Sequence, residues 1–136
     1  MPWIEPYQTT VLILGLSGLL FFIQLMVADV IGILSGHTPG ALVEQSHQQL
    51  LFRAGRAIAN SNESVGILIL FVLFGFFTSA SPEWMNRGSL IYFLGCLGHM
   101  LCYYLNLKIS RSIAFGVSCL GLMMIFISGA AAWWQS

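Results

Sequence analysis

The sequence predicts an all-α membrane protein, a bundle of four transmembrane helices. Three observations lead there. The chain is 57% hydrophobic and 7% charged, whereas soluble domains carry roughly a quarter of their residues charged. Its apolar residues gather into four runs, each about the 20 residues a helix needs to cross a bilayer core. The runs are continuous and not alternating, which excludes the strand pattern of a membrane barrel. A chain of 136 residues holds one domain. Its net charge of zero gives no sign of a nucleic-acid partner, and none is expected.

The first run, residues 9–34, follows "MPWIEPYQ", which lacks the basic start of a cleavable leader. Trp3 and Tyr7 there fit an interfacial anchor. Turn chemistry at Gly36, Pro39 and Gly40 then gives way to helix-compatible sequence. The second helix is therefore expected over residues 41–80, starting near Ala41 outside the bilayer. Short connections, "SPEWMNR" and "KISR", separate it from a third helix over 88–107 and a fourth over 111–134 that ends on Trp133 and Trp134. Arg53, Arg56, Lys108 and Arg111 lie on the side of loops one and three, against Arg87 alone on the other. Basic residues stay inside, so those two loops are expected in the cytoplasm and both termini outside. Short loops point to a bacterial inner membrane. The cysteines, Cys96, Cys102 and Cys119, lie in apolar runs without a CxxC pair. They read as small packing residues, with no metal site expected.

The stretch "RAGRAIANSNE" carries the chemistry. Arg53, Arg56, Asn60 and Glu63 are spaced three, four and three apart, within an arc of roughly 80° on a helix. Ionisable side chains inside a membrane are costly and usually serve a site. A purely structural role as interhelical polar contacts is the plainer alternative. Two arginines facing one carboxylate, however, leave cationic donors over for an anionic ligand. Helix three repeats the pattern with Cys96, His99, Tyr103 and Asn106. A lone histidine or tyrosine in an apolar helix is commonly a packing residue. Arg111, just beyond, otherwise reads as a snorkelling anchor.

These residues resemble the signature of the MAPEG family, the membrane-associated proteins of eicosanoid and glutathione metabolism. That family's second helix reads Arg, two residues, Arg-Ala, two residues, Asn, two residues, Glu. The match falls on Arg53, Arg56, Ala57, Asn60 and Glu63. "GHMLCYYLNLKISRS" is similar to the family's His-to-Tyr segment with its basic loop and Arg-Ser pair. The resemblance implies homotrimers with glutathione bound as co-substrate in clefts between subunits. Arg56 would take a carboxylate of glutathione and Glu63 its amino group, with Asn60 beside them. Arg53, His99 and Tyr103 would line the cleft, and Arg111 would be catalytic, stabilising the thiolate. Gly15 with Gly18, and Gly95 with Gly98, would permit close helix approach in the trimer.

The implied function is a glutathione-dependent transferase or peroxidase acting on lipophilic electrophiles or lipid hydroperoxides that arrive through the bilayer. Departures from the family pattern keep a second class in view. Helix one offers Gln24 and Asp29 where family enzymes often carry an arginine, and Cys96 stands where another is common. The tyrosine and proline that often follow the glutamate are replaced by Ser64 and Gly66. The alternative is a non-catalytic member that binds a membrane lipid or partner protein in the intersubunit cleft. A small proton-coupled exporter is a third class, but its glutamate is expected in helix one without arginine neighbours.

Overall fold

The computed structural model describes residues 1–136; its regular structure is all helical, with no strand. A 3-10 turn at Glu5–Tyr7 leads into α1 (Gln8–Leu34); α2 (Leu50–Phe77), α3 (Pro82–Tyr104) and α4 (Lys108–Gln135) follow. Three helices are long and apolar enough to cross a membrane: α1 with its leading turn, α2 and α4, at mean hydropathies of 2.5, 1.7 and 2.1. The third helix is also long, at 23 residues, which is about 35 Å. Asn86, Arg87, Ser89 and His99 dilute its apolar character.

Two boundaries differ from the sequence expectation for local reasons. Helix two begins at Leu50 and not near Ala41. Before it, the Gln49 side chain donates to Glu44 at 2.6 Å and the Gln48 amide to Ser46 Oγ at 3.3 Å. Such side-chain bonds give the backbone an alternative to helix, and Gln49 is left extended at φ −89°, ψ 126°. Helix three begins earlier than residue 88 because Pro82 occupies the first turn, where its missing N–H costs nothing. That helix stops at Tyr104, so Asn106 leaves the expected stripe and takes φ 56° in the turn.

The first three helices end in the same way. His37 N–H reaches Gly32 O at 3.0 Å, Ala80 N–H reaches Gly75 O at 2.9 Å, and Leu107 N–H reaches Cys102 O at 2.8 Å. These are Schellman closures, which need a left-handed residue one position earlier. Gly36, Ser79 and Asn106 supply it.

The core gathers Leu20, Leu68, Tyr92, Met100 and Ile125 from all four helices. Helices α3 and α4 approach most closely, through glycines. A Cβ built on Gly95 would lie 2.5 Å from Ser118 N, and one on Gly121 would strike the Tyr92 backbone. Gly95 is thus used inside the subunit and not between subunits. Gly15 and Gly18 face open space. Tyr7 is buried, contrary to its reading as an interfacial anchor, and its hydroxyl donates to Ala80 O at 2.5 Å. Asn86 adds a second tie, receiving the Thr10 amide at 3.0 Å and donating to Pro6 O at 2.9 Å. Together they pin the N-terminus to the α2–α3 turn. Cys119 is exposed on the outer face of α4, whereas Cys96 is buried.

Candidate functional site

Helix α2 presents its polar residues on one face, but their neighbours divide them. Arg53 turns back and donates to the His47 carbonyl at 2.8 Å. It ties the loop before α2 to the helix, and the His47 ring rests 5.1 Å from Phe52 and 6.4 Å from Tyr103. Arg56 points into a recess shared with Val43, Gln45 and Phe52. Asn60 faces α3, with its amide 3.4 Å from His99 Nδ1. Glu63 is exposed. It has no ionic partner in the subunit, whose one ion pair is Glu83 with Arg87 at 2.6 Å.

The chemistry converges one helix over. His99 and Tyr103 are four residues apart on α3, so they share a face, and both are buried. Their rings meet edge to face at 4.9 Å. The tight turn at Leu105–Leu107 brings the first turn of α4 back over this pair. Arg111 then lies with its guanidinium carbon 4.5 Å from the centre of the Tyr103 ring, within cation–π range. Arg111 Nη1 is buried and has no hydrogen-bond partner. Asn60, His99, Tyr103, Arg111, Ser112 and Phe115 line one cavity of about 250 Å³.

If the Asn60 amide donates to Nδ1, a neutral His99 carries its proton on Nε2. The cavity then offers a donor imidazole, a fixed cation and a phenol. It has no carboxylate of its own. A buried guanidinium nitrogen without an acceptor is costly, so the arrangement favours an anionic guest near Arg111.

Of the residues expected in the site, Asn60, His99, Tyr103 and Arg111 come together. Arg56 opens into the adjoining recess, Arg53 serves the loop, and Glu63 faces outward. Gln24 is buried and accepts from Ser61 at 2.6 Å, so it belongs to the α1–α2 contact and not to a cleft. Ser64 and Tyr92, 2.8 Å apart, make a similar polar tie between α2 and α3. Phe115 and Ser112 were missed as lining residues; only their places on α4, Ser112 next to Arg111 and Phe115 one helical turn beyond it, could have shown them. His47 was missed because nothing in the loop's sequence reveals that it folds over Tyr103.

No curated protein and no solved structure matches the chain. The family model of the MAPEG family matches residues 9–131, which takes in nearly all of α1 through α4. With that coverage, and with three long apolar helices beside it, the chain is an integral membrane protein belonging to the MAPEG family.

Proposed function

We propose that the protein is a glutathione-dependent membrane transferase or peroxidase, working as a homotrimer on lipophilic electrophiles or lipid hydroperoxides. The observation that carries this reading is Arg111: a buried, unpartnered guanidinium nitrogen held over Tyr103 at the wall of a cavity. A cation beside a thiol favours the thiolate, the nucleophilic form. The thiolate sulfur would form a thioether bond to an electrophilic carbon as a leaving group departs with its electron pair, or as an activated alkene takes up a proton from water, with Arg111 stabilising the anion before attack. With a hydroperoxide, the sulfur would instead attack the outer oxygen and break the O–O bond, giving a glutathione sulfenic acid and an alkoxide that takes a proton and leaves as the alcohol. A second glutathione thiol would then convert the sulfenic acid to the disulfide and water. Arg56 would take a glutathione carboxylate, Asn60 would steady the backbone, and Glu63 would hold the amino group. His99 and Tyr103 would shape the wall, and Arg53 would contribute through the loop it holds.

Two features support assembly. The cavity, at about 250 Å³, falls below the roughly 300–1,000 Å³ usual for a small-molecule pocket. Glu63 lies 13 residues into the 28-residue α2, near mid-bilayer, where facing a carboxylate to lipid costs about 2.5 kcal/mol or more. A second copy over this face would enlarge the site and cover the charge. In this arrangement α3 crosses the bilayer with the other three helices. The basic ends at Arg53, Arg56, Lys108 and Arg111 support an orientation with loops one and three in the cytoplasm, and short loops favour a bacterial inner membrane.

The test is calorimetry of the purified protein with glutathione, paired with ultraviolet absorbance of the bound thiolate. Binding with a thiolate signal supports the transferase. Binding without that signal assigns the protein to the non-catalytic reading. No binding at millimolar glutathione defeats the proposal.

A further inference from the structure

A different cavity, on the far side of the loop, has its own chemistry. It measures about 550 Å³ and lies between the end of α1, the loop and the start of α2. Asp29, Gly32, His37, Val43, Leu51 and Gly55 are among the residues that line it. Glycines keep it open: a Cβ on Gly32 would meet only Leu51, at 3.8 Å, and one on Gly55 would meet nothing. Asp29 is exposed and unpaired. It shares a helix face with Phe22, Met26 and Ile33, which are 57%, 40% and 76% exposed.

Depth decides what such a carboxylate meets. Helix α1 has 27 residues, so it spans about 40 Å against a hydrocarbon core of about 30 Å. Asp29, five residues or about 7.5 Å from its end, therefore stands at the boundary between hydrocarbon and headgroups, where a lipid headgroup can reach it. Phe22 and Met26 lie deeper on the same stripe, among acyl chains.

We propose that this groove binds an amino-phospholipid, phosphatidylethanolamine. The primary ammonium group donates to the Asp29 carboxylate. The phosphate accepts from the His37 imidazole, which keeps an N–H in either charge state. Arg56, in the recess that shares Val43, Leu51 and Gly55 with this cavity, adds positive potential at that end. The acyl chains run down the Phe22–Met26 stripe. Selectivity follows from donor chemistry. Choline has no N–H to give, and phosphatidylglycerol has no cation, so neither satisfies Asp29. Because the lipid also bridges α1 to the loop that Arg53 holds, its binding steadies the loop beside the candidate site.

Native mass spectrometry of the full-length protein tests this, with dioleoyl phosphatidylethanolamine, phosphatidylcholine and phosphatidylglycerol supplied at equal concentration. The ethanolamine lipid should be retained roughly tenfold more than the others, as expected for a charge-assisted hydrogen bond. Asp29→Asn should erase the preference by removing the charge. Gly55→Leu should erase it by filling the groove, with all charges kept. Both changes fall on open positions, so helicity and thermal midpoint without lipid should match the parent. Equal retention of the three lipids, or a preference that survives either substitution, overturns the proposal. Equally tight binding of free phosphoethanolamine overturns the lipid assignment. A changed subunit number in Gly55→Leu would give the groove to a neighbouring chain instead.

Discussion

At the scale of single residues, Tyr103 and Arg111 act together. The phenol ring orients the guanidinium, and the guanidinium would set the ionisation of a bound thiol. Arginine cannot accept a proton at physiological pH, so its effect is electrostatic and belongs to ionisation more than to affinity. Arg111→Ala should keep glutathione affinity within about threefold, a loss of under 1 kcal/mol, while the thiolate absorbance disappears. Activity at neutral pH should fall and recover partly as pH approaches the free thiol's pKa; an unchanged pH profile would remove Arg111 from catalysis. Tyr103→Phe retains the ring face and should keep the thiolate signal, whereas Tyr103→Leu should lose most of it. Equal signals in those two variants would show that the cation–π contact does not position Arg111. Arg53 has a different job. Its bond to the His47 carbonyl predicts that Arg53→Ala frees the loop, and limited proteolysis between residues 38 and 49 should speed up by roughly an order of magnitude. No acceleration would mean the loop is held by other contacts. The stripe of types at positions 53, 56, 60 and 63 was legible in the sequence, but its division was not. Residues on one helix face meet whatever packs there, and a loop, a neighbouring helix and open space lie along this one.

At the scale of elements, all four helices were legible: hydropathy and length carry α1, α2 and α4, and the length of the run between two short connections carries the more polar α3. The start of α2 was not, because residues 41–49 have helix-compatible composition. Glu44 and Ser46 capture side-chain and backbone donors there. The helix ends were legible only where glycine marks them: Gly36 announces its left-handed turn, whereas Ser79 and Asn106 do not. Ser79, at φ 54°, bears the Cβ strain that glycine avoids. Ser79→Gly should therefore stabilise the protein by about 0.5–1 kcal/mol, net of glycine's extra entropy in the unfolded chain. A lower thermal midpoint would contradict that account. The α3–α4 contact gives the opposite sign. Gly95 has Ser118 backbone where a Cβ would stand, so Gly95→Ala should cost about 1–3 kcal/mol by forcing the helices apart. An unchanged midpoint would show that the helices separate freely.

At the scale of the whole molecule, Glu63 is the residue that the subunit alone does not explain. It is exposed, near the middle of a long apolar helix, without an ion pair. The sequence marked it as unusual, yet no pattern within one chain reveals what lies across an interface. Covered by a second copy, its carboxylate would meet the amino group of bound glutathione. Glutamine has nearly the same volume and can still hydrogen-bond, so Glu63→Gln should leave helicity and the trimer mass intact. The lost charge should nevertheless weaken glutathione binding by roughly tenfold or more. An exporter would behave differently: the same substitution would abolish proton-coupled transport in vesicles and leave glutathione without effect. Native mass spectrometry in mild detergent and calorimetry on the one variant separate these outcomes. A parent protein that remains a stable monomer would end the intersubunit account, because Glu63 would then face lipid with nothing to balance it. A trimer whose glutathione affinity is unchanged in Glu63→Gln would keep the assembly and move the ligand's amino group elsewhere in the cleft.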